Sequence, residues 1–309
     1  MKDKLLFSAP MAGVTDKPFR FMMRKFTHRP LYTEMIGVRT LYHNHYLTRK
    51  MLHISDERDI IVQLVGVEVD YMTHGAKEAL FYGAKGIDIN MGCPVKKLIS
   101  NGSGAKLMQN QDWACRLVEG VKKVATVPVS VKTRIGWDED NINVVPFAKA
   151  LESAGADRVT IHGRTKAQGY AGLVNKSAIA MVKEALHIPV IANGDVVDIA
   201  SANDMLNVTQ ADGLMVGRGL LGRPWLLAQL DGQTVPNLDL SDVVLEHLDL
   251  MLSYYGTHGL LVARKHIAWY TQTLQGRTQF LNQMYQERDI ATVQKLIREF
   301  MSGYQINQL

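Results

Sequence analysis

The chain has 309 residues, of which 47% are hydrophobic and 21% charged, and its formal net charge is +5. This composition is typical of a globular protein and excludes a disordered or low-complexity chain. The longest uncharged run, residues 250–263, is too short to span a membrane, and the apolar run near the N-terminus is too short for a signal peptide. We therefore expect a cytoplasmic protein with no membrane partner and with both of its cysteines reduced. The positive charge favours a polyanionic partner, although a slightly basic surface without a partner explains it equally well.

Eight short apolar runs, several of them nearly continuous, predict strands that are buried on both faces. They are residues 4–10, 31–36, 59–66, 86–94, 128–136, 158–164, 189–195 and 213–219. Apolar residues recur at helical spacing in segments 69–83, 111–125, 174–187 and 198–209, whereas the connection after the second run has no clear period. This alternation favours a parallel sheet, and eight units in about 240 residues match a (β/α)8 barrel. A doubly wound open sheet is the alternative, but no G-x-G-x-x-G follows the first run.

The pattern changes to helical periods alone in segments 241–256, 260–274, 277–287 and 289–301. Ser241 and Asp242 are good capping residues for the first of these helices. The sequence therefore predicts an α/β fold, with a (β/α)8 TIM barrel in residues 1–238 and a small all-helical bundle in residues 239–309.

Polar or backbone-exposing residues end seven of the eight predicted strands, where barrels place their functional groups. They are Pro10, Met11, Ala12, Gln63, Asn90, Cys93, Lys132, Arg134, His162, Arg164, Asn193, Gly194, Asp195, Gly217 and Arg218. The glycines after the seventh and eighth strands indicate a phosphate site, because loop amides at these positions often bind phosphate. Lys132 in the barrel would need an anionic or polar partner, unless it faces outward to a helix carboxylate. His162 is either a site residue or a core histidine satisfied by backbone.

Cys93 lies in the segment INMGCPVKK, directly after a predicted strand and before a proline. No C-x-x-C motif exists, which argues against a metal site, and Cys115 lies on a helical pattern where we expect it to pack. Three interpretations of Cys93 remain open from the residues alone. It is a small buried hydrophobe, a thiolate nucleophile, or a protonated thiol that acts as a general acid.

Seven segments taken together resemble the tRNA-dihydrouridine synthases, and most closely the bacterial B-type branch. They are APMAGVTDKPFR (9–20), DINMGCPVKK (88–97), NGSGAKLM (101–108), VSVKTRIGW (129–137), IHGRTKAQGY (161–170), VIANGD (190–195) and GLMVGRGLLGRPW (213–225). They occur in the family's order, and ARKHIAWY (263–270) extends the resemblance into the helical region.

This resemblance implies an enzyme that uses FMN, reduced by NADPH, to convert specific tRNA uridines to 5,6-dihydrouridine. Hydride would pass from flavin N5 to C6 of the uracil, Cys93 would protonate C5, and Asn90 would help to position the base. The residues matching the family's FMN contacts are Pro10, Met11, Ala12, Gln63, Lys132, His162, Asn193, Gly194, Asp195, Gly217 and Arg218. The target base would have to leave its stack to reach such a site.

The expected tRNA contacts rest on local charge, because the helical region is electrically balanced. The candidates are Lys96, Lys97, Arg134, Arg164, Arg264, Lys265 and His266, with Arg39 and Arg49 as further possibilities. A solvated charged face is the alternative. Two other functions compete: a dihydroorotate dehydrogenase-like flavin barrel reductase of a free pyrimidine, and a non-catalytic RNA-binding protein. The helical domain argues against the first and the intact Cys93, Lys132 and Arg218 against the second. We expect a monomer without an obligate protein partner.

Overall fold

The computed structural model describes residues 3–308. These residues form two compact units. The first, the barrel unit, comprises the described residues up to Asp16 together with His28–Arg218, and the second, the helical unit, comprises Lys17–Thr27 and the described residues from Gly219 onward. The boundary expected near residue 238 lies inside the helical unit, because Trp225, Ala228 and Val235 are buried in that unit's hydrophobic core.

Eight parallel strands form the sheet of the barrel unit, and each coincides with one of the predicted runs. They are β1 (Leu5–Ser8), β2 (Leu31–Gly37), β3 (Ile60–Val65), β4 (Gly86–Met91), β5 (Val129–Arg134), β6 (Arg158–His162), β7 (Val190–Asn193) and β8 (Gly213–Val216). Hydrogen-bonded neighbours follow the order β1-β8-β7-β6-β5-β4-β3-β2. The two strands at the ends of this order also meet, since the Tyr32 amide on β2 donates to Ser8 Oγ on β1 at 3.0 Å. The sheet is therefore curled, as in a TIM barrel.

Fourteen α-helices are distributed over the two units within residues 3–308. They are α1 (Lys17–Arg24), α2 (Val38–Tyr42), α3 (Tyr46–Met51), α4 (Val69–Phe81), α5 (Lys96–Ser100), α6 (Gln111–Lys122), α7 (Val144–Ser153), α8 (Lys176–Ala185), α9 (Ile199–Thr209), α10 (Leu226–Leu230), α11 (Leu240–Tyr255), α12 (Gly259–Tyr270), α13 (Arg277–Gln286) and α14 (Ile290–Met301). The four helices predicted between strands correspond to α4, α6, α8 and α9. The unclear connection after the second strand contains the short helices α2 and α3. None of the helices in the described part of the chain has the length and apolar composition to cross a membrane.

Polar side chains line the interior of the curled sheet. Gln63, Asp88, Ser130 and Arg158 are register partners across β3, β4, β5 and β6, so their side chains share one face. That face is the interior, because Arg158 Nη2 donates to the hydroxyl of Tyr32 on β2 at 2.9 Å, although β2 and β6 are not neighbours. Further towards the strand ends, the register aligns Arg134, His162 and Asn193 on β5, β6 and β7. The strand ends therefore bring the predicted rim residues together.

The helical unit has its own apolar core, to which α1 contributes Met22 and α11 to α14 contribute residues such as Leu248, Met284 and Ile297. The cap of α11 is Asp239, whose carboxylate accepts from the amide and the hydroxyl of Ser241 at 2.9 and 2.7 Å. The expected caps, Ser241 and Asp242, were therefore wrong. The helix begins at Leu240, so that Ser241 lies within the first turn and donates to the cap.

Two histidines are buried together in this core. His247 on α11 and His266 on α12 are each 2% exposed, with ring centroids 4.7 Å apart. Both rings also lie against Phe19 of α1, and His247 Nδ1 shares a hydrogen bond with the Tyr270 hydroxyl at 3.2 Å. Burial lowers the pKa of His247 to about 3 and the pKa of His266 well below its usual value. Both rings are therefore neutral in the folded protein at neutral pH.

Folding stability should fall on acidification because these two rings resist protonation. In an unfolded chain a histidine has a pKa of about 6.5, so below this value the unfolded state binds more protons than the folded state. The stabilisation is complete above pH ~6.5 and is lost as the pH falls towards the folded pKa values. We expect each buried histidine to lower the free energy of unfolding by roughly 2 kcal/mol between pH 8 and pH 5, measured by urea denaturation.

The variants His247→Phe and His258→Gln separate this effect from general acid sensitivity. The first should reduce the pH dependence by the share of one histidine, because His266 remains, whatever its effect on stability at pH 8. The second removes an exposed histidine of the same unit and should leave the dependence as it is. Equal unfolding free energies of the unmodified protein at pH 8 and pH 5 would contradict the interpretation.

Candidate active site

The loop after β4 carries Cys93, which is half-buried. Its carbonyl oxygen accepts a hydrogen bond from the Ala105 amide at 3.0 Å, so the following segment folds back onto the loop. Gly104 makes this close return possible. Its φ is +61°, and a Cβ at this position would lie 2.7 Å from the Cys93 carbonyl oxygen. The NGSG motif therefore shapes the cysteine loop.

The Cys93 thiol is protonated at neutral pH. Burial raises its pKa above the ordinary value, and a backbone hydrogen bond at Val95 and the charges of Arg134 and Lys132 oppose this increase only in part. A protonated thiol can donate a proton, whereas nucleophilic attack needs the thiolate. The environment therefore favours a general acid over a nucleophile. The other cysteine, Cys115, points its thiol at the Ala150 carbonyl of α7, as expected of a packing residue.

A chain of buried amides supports the cysteine loop from below. Asn90 Oδ1 accepts hydrogen bonds from the amides of Cys93 and Gly92 at 2.9 and 3.2 Å. Asn90 Nδ2 donates to Gln63 Oε1 at 2.9 Å, and Gln63 Nε2 donates to Asp88 Oδ2 at 2.7 Å. Asn90 therefore holds the loop that carries the thiol. Asp88 was not among the sequence candidates, because it ends no strand.

Lys132 points into the interior, so the alternative of an outward lysine paired with a helix carboxylate was wrong. Its Nζ donates to Asn193 Oδ1 at 2.9 Å, and Asn193 Nδ2 in turn donates to the Met215 carbonyl at 2.8 Å. Burial, assisted by the charge of Arg134, lowers the pKa of Lys132 to about 8. The ammonium remains mostly protonated at neutral pH while it donates to a neutral oxygen. This arrangement suits an anionic ligand.

An ion-pair cluster lies at the ends of β6, β7 and β8. The Asp195 carboxylate bridges Arg164 and Arg218, with Arg218 Nη2 at 2.7 Å from Asp195 Oδ1 and a short bond from Arg164 Nη2 to Asp195 Oδ2. The bond from Arg164 is the main reason why the pKa of Asp195 is lowered. His162 lies beside this cluster, and burial together with the surrounding cations lowers its pKa to about 2, so the ring is neutral.

The geometry of this cluster fits a phosphate group. Arg218 leaves half of its side chain exposed, so it can donate to a further anion. Gly194 has a φ of +140°, and a Cβ there would lie 2.7 Å from a methyl group of Val174. Gly217 directly follows β8, and a Cβ there would lie 3.6 Å from the Ala9 Cβ and 3.9 Å from the Met11 sulfur. Residues of these types can place backbone amides and a guanidinium around a phosphate.

The segment after β1 is a tight turn at the same end of the sheet. The amides of Val14 and Thr15 both donate to the Met11 carbonyl at 3.0 Å, and the Met11 amide donates to Thr15 Oγ1 at 3.0 Å. Pro10 and Met11 are half-buried and Ala12 is exposed. The turn therefore presents a partly open apolar surface.

Two arginines proposed as tRNA contacts brace loops instead. Arg134 and Arg164 are each 2% exposed. Arg134 donates to the carbonyl oxygens of Gly92, Thr165 and Gly169 at 2.7, 2.9 and 2.7 Å. Arg164 donates to Asp195 and to the carbonyls of residues 171 and 172. We therefore correct the prediction for both, since their donors are occupied within the barrel unit. Lys96 and Lys97, by contrast, are exposed on α5, directly after the cysteine loop.

The ARKH segment lies on α12 of the helical unit. His266 belongs to the buried histidine pair, so its prediction as a tRNA contact is also corrected. Arg264 Nη2 donates to the Glu287 carbonyl at 2.6 Å, and Lys265 is half-buried. Elsewhere, Arg39 and Arg49 lie within 4 Å of Glu68 and Glu78, at 3.8 and 3.6 Å respectively.

Comparison with known proteins gives a match to the dihydrouridine synthase (Dus) family over residues 7–302. The chain is 38% identical over 306 residues to the probable tRNA-dihydrouridine synthase 1 of Synechocystis sp., which covers 96% of this chain and 86% of that protein. It is 41% identical to the probable tRNA-dihydrouridine synthase of Rhodobacter capsulatus over 97% of this chain and 95% of that protein. It is also 38% identical to tRNA-dihydrouridine synthase B of Pseudomonas syringae pv. tomato over 96% of this chain and 91% of that protein.

A solved structure of nitroalkane oxidase from Streptomyces ansochromogenes is a distant neighbour, with a TM-score of 0.42 and 17% identity over 69% of this chain and 65% of that chain. This likeness is too weak to bear on the function. The family match covers nearly the whole chain, and the relatives align along almost all of their own length. The chain belongs to the dihydrouridine synthase family.

Proposed function

We propose that this protein is a tRNA-dihydrouridine synthase, which reduces the C5–C6 double bond of specific uridines in tRNA. The observation that carries the proposal is the state of Cys93 in a chain of this family. Its thiol is protonated, half-buried and backed by a fixed amide, as a proton donor to carbon needs to be. The proposal assigns the barrel unit to catalysis and the helical unit to tRNA binding.

The residues of the barrel unit fit the flavin that this family uses, and we assign it as FMN. Arg218, Gly194 and Gly217 would hold the phosphate, and the turn at Pro10, Met11 and Ala12 would face the isoalloxazine ring. Lys132 would donate to the polar edge of the ring, where its positive charge would stabilise the negative charge of the reduced form. When bound and reduced by NADPH, FMN supplies the hydride for C6 of the uracil.

Cys93 supplies the proton for C5 of the uracil in this proposal. The bond from sulfur to hydrogen breaks, a C5–H bond forms, and the sulfur keeps the electron pair as a thiolate. Arg134 and Lys132 are the cations whose charges act on Cys93, and they stabilise that thiolate. Asn90 keeps the loop in place during the transfer through its bonds to the Gly92 and Cys93 amides.

The enzyme is tested by incubating it with FMN, NADPH and unmodified tRNA, and by measuring dihydrouridine after nuclease digestion. We expect a yellow protein that forms dihydrouridine in tRNA and leaves free uracil and orotate unchanged. Turnover of the free pyrimidines alone would replace the proposal with a small-molecule reductase. A protein that takes up no flavin would contradict both the tRNA-modifying enzyme and the small-molecule reductase.

Cys93→Ala should retain FMN and NADPH oxidation but lose dihydrouridine formation by about 10²–10⁴-fold, because only the proton donor is removed. The reduction of FMN by NADPH and its reoxidation by tRNA are measured separately by stopped-flow absorbance. Cys115→Ala, which removes the other thiol on α6, is the matched control and should keep both rates. Normal tRNA modification by Cys93→Ala would show that the proton comes from elsewhere.

Lys96→Ala/Lys97→Ala should weaken tRNA binding at low salt more than at high salt. Both lysines are exposed on α5, two and three residues after Pro94, where they can neutralise RNA phosphates near the thiol. Loss of two phosphate contacts reduces the slope of log K against log salt by roughly 1–2, measured by filter binding at several salt concentrations.

The control for this experiment is Lys77→Ala/Lys85→Ala, which removes two exposed lysines on α4 and at the start of β4, away from the cysteine loop. The control should retain the slope of the unmodified protein. Identical slopes for both double variants would exclude Lys96 and Lys97 as phosphate contacts.

A further inference from the structure

A continuous hydrogen-bond chain links the barrel interior to the cysteine loop. It begins at Asp88, passes through the side-chain amides of Gln63 and Asn90, and ends on the backbone amides of Gly92 and Cys93. We propose that Asp88 is a positioning residue, which sets the direction of both amide groups and so keeps an oxygen beneath the cysteine loop. Its effect on catalysis rests on the proposed function, whereas its effect on the loop does not.

The donors and acceptors in this hydrogen-bond chain allow it only one direction. An ionised carboxylate can only accept, so Gln63 must present its NH₂ group to Asp88. The Gln63 oxygen then faces Asn90 and can only be satisfied by the Asn90 NH₂ group. Asn90 is left with its oxygen towards the amides of Gly92 and Cys93, which are donors. Each amide has two possible orientations, and the carboxylate at the start of the chain excludes one of them for both.

The surroundings of Asp88 keep it an acceptor. Its side chain is fully buried, and its second oxygen accepts from Ser130 Oγ at 2.6 Å. Ser130 Oγ itself accepts from Arg158 Nη2 at 3.3 Å, which leaves the Ser130 proton for Asp88. The charged groups that act on Asp88 are Arg158 on β6 and Lys132 on β5, and the titratable Tyr32 faces it from β2. Burial raises the pKa of Asp88 to about 6, so the group is ionised at neutral pH.

Asp88→Asn should reverse the chain. Ser130 still donates its proton, so the oxygen of the introduced amide turns towards Ser130 and its NH₂ group towards Gln63. Gln63 must then present its oxygen to position 88 and its NH₂ group to Asn90. Asn90 in turn accepts from Gln63, and its NH₂ group meets the amides of Gly92 and Cys93. Two donors then face each other, and the loop loses its support.

The loop is probed by amide hydrogen exchange in the peptide that contains Gly92 and Cys93. We expect exchange in Asp88→Asn to be at least about 10-fold faster, as the loss of one hydrogen bond predicts. Asp212→Asn is the matched control, because Asp212 also accepts from a strand amide, that of Val190, and from Lys183. This control should leave exchange in the loop unchanged. Unchanged exchange in folded Asp88→Asn would overturn the proposal.

The double variant Asp88→Asn/Asn90→Asp separates chain direction from simple damage to the interior. A carboxylate at position 90 accepts both from the reversed Gln63 and from the Cys93 amide, so every bond in the chain is restored. We expect loop exchange to return to within about threefold of the unmodified protein, which is less than half of the single variant's 10-fold effect on a logarithmic scale. If Asp88→Asn alone does not fold, folding of the double variant counts as the same rescue. Exchange in the double variant as fast as in the single variant, or failure of both to fold, would contradict the proposal.

The effect of Asp88 on catalysis is measured by steady-state kinetics with tRNA as substrate. Asp88→Asn should lower kcat for dihydrouridine formation by about 10-fold or more while the KM for tRNA stays within about twofold, because the thiol is displaced and the RNA surface is not.

The acid limb of the pH profile near pH 6, where Asp88 protonates, should also disappear in Asp88→Asn. A rise in KM alone would exclude a positioning role in the reaction. If the unmodified protein forms no dihydrouridine, the proposed function fails while the exchange experiment still decides the role of Asp88.

Discussion

The interior of the curled sheet contains charged and amide side chains, which need hydrogen bonds and opposite charges to be stable there. Transfer of a charge from water into a protein costs several kcal/mol unless hydrogen bonds and opposite charges replace its hydration. Asp88, Arg134 and Arg164 are almost completely buried, and each makes at least two hydrogen bonds. These bonds join neighbouring strands or connect a strand to a loop. The requirement for satisfied polar groups therefore also determines where the loops at the strand ends lie.

The cysteine loop is the clearest case of this coupling. Arg134 ties Gly92 to the segment that follows β6, and Asn90 ties the same loop to the strand below it. Gly104 allows the next segment to return to the Cys93 carbonyl. The loop is thus fixed from three directions, none of which involves the thiol. The thiol itself adds only a hydrogen bond with the Val95 backbone, so the sulfur stays available for chemistry while the other contacts hold its loop.

Strand positions and strand ends were predictable because they depend on local patterns. Apolar β-branched runs identified all eight strands, and the order of the strands followed from the alternation with helices. The polar residues that end those strands therefore converged as expected. By contrast, the cap of α11 was misplaced, because a start one residue earlier changes which side chain can accept.

The partners of individual side chains were not predictable, because they depend on register and tertiary packing. The pairing of Asp88 with Gln63 and Ser130 requires the register of three strands, and a shift of one residue would turn each side chain to the other face. His266 follows an arginine and a lysine, which suggests an exposed site, but it faces the core side of α12.

Cys93 faces two opposite demands in the proposed reaction, and its surroundings meet both. Before transfer the thiol must hold its proton at neutral pH, and partial burial achieves this by disfavouring the thiolate. After transfer the thiolate must form without a prohibitive cost, and the charges of Arg134 and Lys132 reduce that cost. Removal of the cations would give a thiol that keeps its proton too firmly, whereas full exposure would give one that loses part of its proton population to water before the substrate arrives. A half-buried sulfur beside two partly desolvated cations lies between these limits, and the hydrogen bonds that hold its loop keep it there.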